Sequence, residues 1–149
     1  MAFNPKGAKW YLADVVLEFI VQDDARNVVH INTVLVEASS PEDAYKKAIE
    51  LGKSDQSEYL NTNGKKVKVR FRGLKELNVI HDDLDHGTEL TYREEVGLSE
   101  GAIKKLTRNK SKLGVFQEIM EKADVPNYLP ISVWRLIEAH FGPRDLPHP

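Results

Sequence analysis

The ten residues HDDLDHGTEL, positions 81–90, gather two histidines, three aspartates and one glutamate, side chains that bind divalent cations or move protons. In an extended segment His81, Asp83 and Asp85 point one way and Asp82 and His86 the other. The spacing fits neither a calcium loop, which needs glycine at its sixth position, nor H-E-x-x-H, which sets two histidines on one helix face. By residue type and not by spacing, His81, Asp83, Asp85 and His86 are the candidate ligands of a metal-dependent enzyme. The competing expectation is an acidic connection between two strands that ends in a turn at His86-Gly87, where aspartate bonds to its own backbone.

Two cationic stretches are candidates for binding phosphate. In KKVKVRFRG, Lys66, Lys68, Arg70 and Arg72 alternate with Val67, Val69 and Phe71, so the four cations share one face of a strand. They could track a nucleic-acid backbone, or pair across the sheet with Asp14 and Glu18. In KKLTRNKSK, Lys104, Lys105, Arg108, Lys110 and Lys112 occur with no acidic residue between Gly101 and Phe116. No aromatic residue interleaves with them, so phosphate contact is expected there without base stacking.

Nucleophilic catalysis has little to work with. The chain has no cysteine, no G-x-S-x-G elbow and no phosphate-cradling glycine loop, and no cofactor or small-molecule substrate is implied.

The elements that would position these residues follow from periodicity. From Tyr11 the odd positions Ala13, Val15, Leu17, Phe19 and Val21 are all apolar, which is a strand lying on a core. Turn residues 22–27 lead to a second β-rich run, Val28 to Ala38. Ser40, Pro41, Glu42 and Asp43 then form a strong helix start, with the helix expected to reach as far as Leu60. A turn at Asn63-Gly64 precedes the cationic strand, Gly73 marks a bulge, and residues 88–95 read as a last strand with Leu90 and Tyr92 on one face. The expected fold is α+β: an antiparallel sheet of about four strands in the order ββαββ, one helix on one face, in a domain spanning 1–96.

The stretches KWYLADVVLEF, VEASSPEDAYKKA and DHGTELTYR resemble a family of small, mostly bacterial proteins catalogued as domain of unknown function 4288, over roughly residues 9–94. The resemblance implies the fold and a boundary near residue 96, and carries no activity, ligand or catalytic residue.

Residues 97–149 change character, from 17 acidic and 13 basic side chains before them to 6 and 8 within them. They read as a small helical extension with an extended tail: short helices over 99–109, 113–120 and 131–141, with VPNYLP as a linker. Its aromatics Phe116, Tyr128, Trp134 and Phe141 are candidate partner contacts, because such residues are enriched in interface cores. The apolar run from Trp10 to Val21 carries Asp14 and Glu18 and is too short to cross a bilayer, so no membrane association is expected.

The function expected first is that of a non-catalytic cytoplasmic binding module, regulatory or immunity-type, that recognises a protein partner or forms a homo-oligomer. Nucleic-acid binding through 104–112 or 66–72 is the second expectation, and a metal-dependent enzyme centred on 81–86 the third.

Overall fold

A computed structural model describes residue 7, residues 9–118 and residues 124–131. The elements run β1 (Trp10–Val21), β2 (Val28–Glu37), α1 (Pro41–Ser54), β3 (Ser57–Leu60), β4 (Lys66–Val79) and α2 (Glu100–Leu106), followed by single 3-10 turns at Lys110–Lys112 and Gly114–Phe116. The four strands form one antiparallel sheet in the order β2-β1-β4-β3, with α1 between β2 and β3 in the chain. The fold class is α+β.

Two expected elements are replaced. The helix stops at Ser54, capped at Asp55, and the residues expected to continue it form β3 instead. Residues 88–95 form no strand, and Tyr92 is 72% exposed. Among the described residues their alternation of apolar and polar side chains has no strand to pair with, and alternation alone does not make a ladder. The expected helix over 113–120 is a single 3-10 turn, Gly114–Phe116, and its end falls outside the described residues.

The core follows from β1. Its odd residues Tyr11, Ala13, Val15 and Leu17 are buried together with Val36, Ala38, Ala44, Ala48 and Val69. Facing them across the β1–β4 ladder stand Val79, Leu77, Leu74, Phe71, Val69 and Val67. The intervals between 71 and 74 and between 74 and 77 are three rather than two, which would turn alternate side chains out of the core in a regular strand. Two register shifts, leaving Arg72 and Lys75 without partners, restore the phase, and Gly73 (φ 133°) sits between them.

Helix α1 is seated by small residues. Ser40 caps it, its Oγ accepting from the Asp43 N–H at 3.1 Å, and Ala44, Ala48 and Gly52 are buried. A Cβ on Gly52 would lie 2.3 Å from Cε1 of Phe71, so only glycine lets this last turn approach β4 so closely.

By internal contacts the described residues divide into two units, one of those up to Leu90 together with 125–131, the other of those between Thr91 and Asp124. The segment expected as a linker, residues 125–130, thus belongs to the sheet unit.

Candidate interaction surface

The two edges of the sheet are treated differently. Edge strand β3 has four residues, and residues 125–131 dock against it as a strap. Asn61, just past β3 and 1% exposed, uses its whole amide there: Oδ1 accepts from the N–H groups of Asn63 and Lys65 at 2.9 Å each, and Nδ2 donates to the Asn127 carbonyl at 2.9 Å. Asn127 in turn donates from Nδ2 to Thr62 Oγ1 at 2.6 Å, and Pro130 forms a β-bridge with Asn61. The Tyr59 hydroxyl donates to the Tyr128 carbonyl. Burial, then the proximity of Tyr128, raises the Tyr59 phenol above its ordinary value.

Tyr128 is therefore engaged within the chain. Its ring lies 5.3 Å from that of Phe19 and 5.0 Å from that of His30, and these two stand 4.7 Å apart, a three-ring cluster at the β1–β2 end of the sheet. Phe116, in the other unit, is 53% exposed, with Lys110 Nζ 5.2 Å from its ring centre. Trp134 and Phe141 lie outside the described residues.

Edge strand β2 is ten residues long and, among the described residues, pairs with β1 alone. Opposite the core-facing series Val28, His30, Asn32, Val34 and Val36 runs the series Val29, Ile31, Thr33 and Leu35. Val29 and Ile31 are each 50% exposed and Leu35 47%, and neighbouring β1 adds Ile20. The face turned away from α1 thus carries an aliphatic strip along β2.

The β4 side of the same face is ionic. Lys66, Lys68, Arg70 and Arg72 are all exposed. Arg72 Nη1 lies 3.7 Å from Glu18 Oε1, Asn27 Nδ2 donates to the same carboxylate at 2.7 Å, and Asp14 accepts from the Thr33 hydroxyl at 2.6 Å. The acidic residues of β1 that could have left the cations free for phosphate are thus directed in part to Arg72 and in part to β2.

The 81–90 stretch is an exposed loop closed by its own side chains. Asp85 Oδ1 accepts from the His86 N–H at 2.7 Å, Thr88 Oγ1 donates to the Asp83 carbonyl at 2.7 Å and accepts from the Asp85 N–H at 3.0 Å, and Gly87 (φ 85°) makes the turn. Among the described residues no three His, Asp or Glu side chains are grouped to hold a metal ion, so His81, Asp83, Asp85 and His86 are not brought together.

In the second unit, Lys104 and Lys105 occupy the last turn of α2, while Lys110 and Lys112 belong to the 3-10 turn that follows Arg108; all five cations are exposed. A groove of about 610 Å³ runs beside α1, where Tyr45 and Ile49 alternate with charged residues whose Asp43 is already engaged by Ser39 and Lys47.

The surface signal that the sequence concealed is the strip on β2. Its residues are individually ordinary strand residues, and only the strand order makes them an edge.

These features define a small sheet-and-helix domain in which, among the described residues, the β3 edge is strapped and the β2 edge has no second strand. Residues 10–92 match the family described as Domain of unknown function (DUF4288), more than half of the chain, and the chain belongs to that family. No curated protein and no solved structure matches it.

Proposed function

We propose that this chain is a non-catalytic, cytoplasmic protein-binding module whose contact surface is the open edge of β2 with the aliphatic strip beside it. The observation that carries the reading is the half-exposed state of Val29, Ile31 and Leu35 on a ten-residue edge strand. A long edge with aliphatic side chains invites another chain to pair with it, and folds that avoid this use charge, proline or a covering segment. On β2 none of the residues from Val28 to Val36 is acidic, lysine, arginine or proline. The absence of cysteine from the chain suits a reducing compartment.

Photo-crosslinking in the native host tests this. A benzophenone side chain at position 31 should give a discrete protein adduct that the same group at exposed position 46, on α1, does not give. No adduct at 31, or the same adducts from both positions, would overturn the reading.

A second reading concerns the other unit. Lys104, Lys105, Arg108, Lys110 and Lys112 are exposed, and among the described residues no carboxylate lies within ion-pair distance of them. They are available to phosphate groups, and the test is retention on RNA or DNA that falls steeply with salt and is lost when Lys110 and Lys112 become glutamate. Negligible retention at low ionic strength would retire it.

A further inference from the structure

We propose that the occupant of the β2 edge is β2 of a second copy of this chain, paired antiparallel about a two-fold axis through Asn32. The proposal rests on the protein-binding reading above and names its partner.

The ladder fixes which backbone groups are on offer. The Ala38 N–H donates to the Lys9 carbonyl at 2.9 Å on the β2 side of β1, and the Ile80 N–H donates to the Trp10 carbonyl at 2.9 Å on the β4 side. Hydrogen-bonding direction alternates along a strand, so the even residues of β2 bond to β1. The N–H and C=O groups of Val29, Ile31, Thr33 and Leu35 therefore point outward, the same residues whose side chains form the exposed strip.

One end of this row is closed. Lys47 Nζ donates to the Glu37 carbonyl at 2.9 Å, so the row on offer ends at Leu35. Its other end is Val29, next to the start of β2, and the midpoint between them is Asn32.

The sequence is nearly symmetric about that midpoint. Reading outward from Asn32 in V-V-H-I-N-T-V-L-V, Ile31 answers Thr33, His30 answers Val34, Val29 answers Leu35 and Val28 answers Val36. In an antiparallel pair centred there, Ile31 faces the second copy's Thr33 and Val29 faces its Leu35, which are β-branched and aliphatic pairs of the kind that stabilise adjacent strands. Nothing between Val28 and Val36 except His30 can carry charge, so the two copies meet without repulsion. Slipping the pair by two residues would set Glu37 against Val29 and call on a carbonyl that Lys47 already holds. Two-fold pairing of identical edges is a closed arrangement, so it yields a dimer and not a fibre.

The absence of cysteine makes the axis directly testable. At the axis the two Asn32 residues form a non-hydrogen-bonded pair with Cα atoms about 4.5 Å apart, within the span of a disulfide. Asn32→Cys should give a covalent dimer on mild oxidation, whereas Asn63→Cys, in the β3–β4 turn, should not. By sedimentation equilibrium the wild type should have twice the mass of one chain, and Ile31→Lys should halve it with an unchanged circular dichroism spectrum. Ile31→Pro, whose missing N–H is an outward one and not one bonded to β1, is the second disrupting variant. A wild type that is monomeric at its highest soluble concentration overturns self-pairing; the photo-adduct at position 31 then shows separately whether a foreign protein binds. A dimer that survives both Ile31 variants, or that fails to cross-link through Asn32→Cys, equally overturns it.

Discussion

The Tyr59 hydroxyl and the Tyr128 carbonyl are joined by a hydrogen bond across 69 residues of chain. With the Asn61 amide it fastens the 125–131 strap to the short edge of the sheet. Asn61→Ala should be the more damaging change: it strands the N–H groups of Asn63 and Lys65 and the Asn127 carbonyl, at a cost of roughly 1–3 kcal/mol for each that water does not reach. Tyr59→Phe should cost about 1 kcal/mol and leave the sheet intact. Chemical denaturation of the two variants, with amide exchange of Leu129 as a local probe, checks the order.

Alkaline pH should loosen the same strap. The Tyr59 phenol is raised above its ordinary value of 10.0, so the fold favours the neutral form. That stability is complete below the ordinary value and is lost as pH rises through the raised one. Tyr59→Phe should flatten the decline above pH 10; an identical alkaline profile in wild type and variant would contradict the assignment.

Gly52 and Phe71 should behave as a coupled pair. Alanine at 52 would gain about 1 kcal/mol in helix propensity, yet its Cβ would meet the Phe71 ring at 2.3 Å, and overpacking costs roughly 1–3 kcal/mol. Gly52→Ala should therefore lower Tm, and adding Phe71→Leu should recover part of the loss. A double-mutant cycle with no coupling would show that the ring moves aside freely.

Acid should weaken the start of α1. The Asp43 carboxyl is held below its ordinary value, chiefly by the Ser39 N–H and then by Lys47. This contribution is present above the ordinary value of 3.8 and is lost as pH falls through the lowered one. Asp43→Asn should reduce stability at neutral pH and narrow its gap from wild type in acid, as followed by helical ellipticity.

Much of the sheet is legible from residue order, because β1 and the first half of β4 show a period of two, the residues of β2 are β-rich and follow turn residues, and Ser40-Pro41 announces α1. What is lost is non-local. SEYL, residues 57–60, reads as easily as a continuing helix as it does as β3, and only its pairing with Val67 and Val69 decides. TELTYREE has the opposite fault, a strand pattern with no neighbour. Among candidate site residues, Tyr128 was identifiable as an aromatic seeking a contact, but its partners Phe19, His30 and Tyr59 lie far away in sequence. The density of ligand-type side chains at 81–86 misleads because Asp85 and Thr88 serve the loop's own backbone. The edge position of β2 is a property of the order β2-β1-β4-β3, which no local pattern encodes.

The paired bulges of β4 make that strand uneven in its tolerance of deletion. Arg72 and Lys75 have no partner on β1, so removing either codon would shorten β4 while every remaining residue still meets its present neighbour. Removing Val69 instead would shift one side of the break by a single position, turning Val67 away from the core or Phe71 and all beyond it out of phase. Losing Gly73 or Glu76 restores the same spacing, with Arg72 or Lys75 taking the vacated outward place, so a library of single-codon deletions should leave survivors at 72–73 and 75–76 within a stretch that is otherwise intolerant.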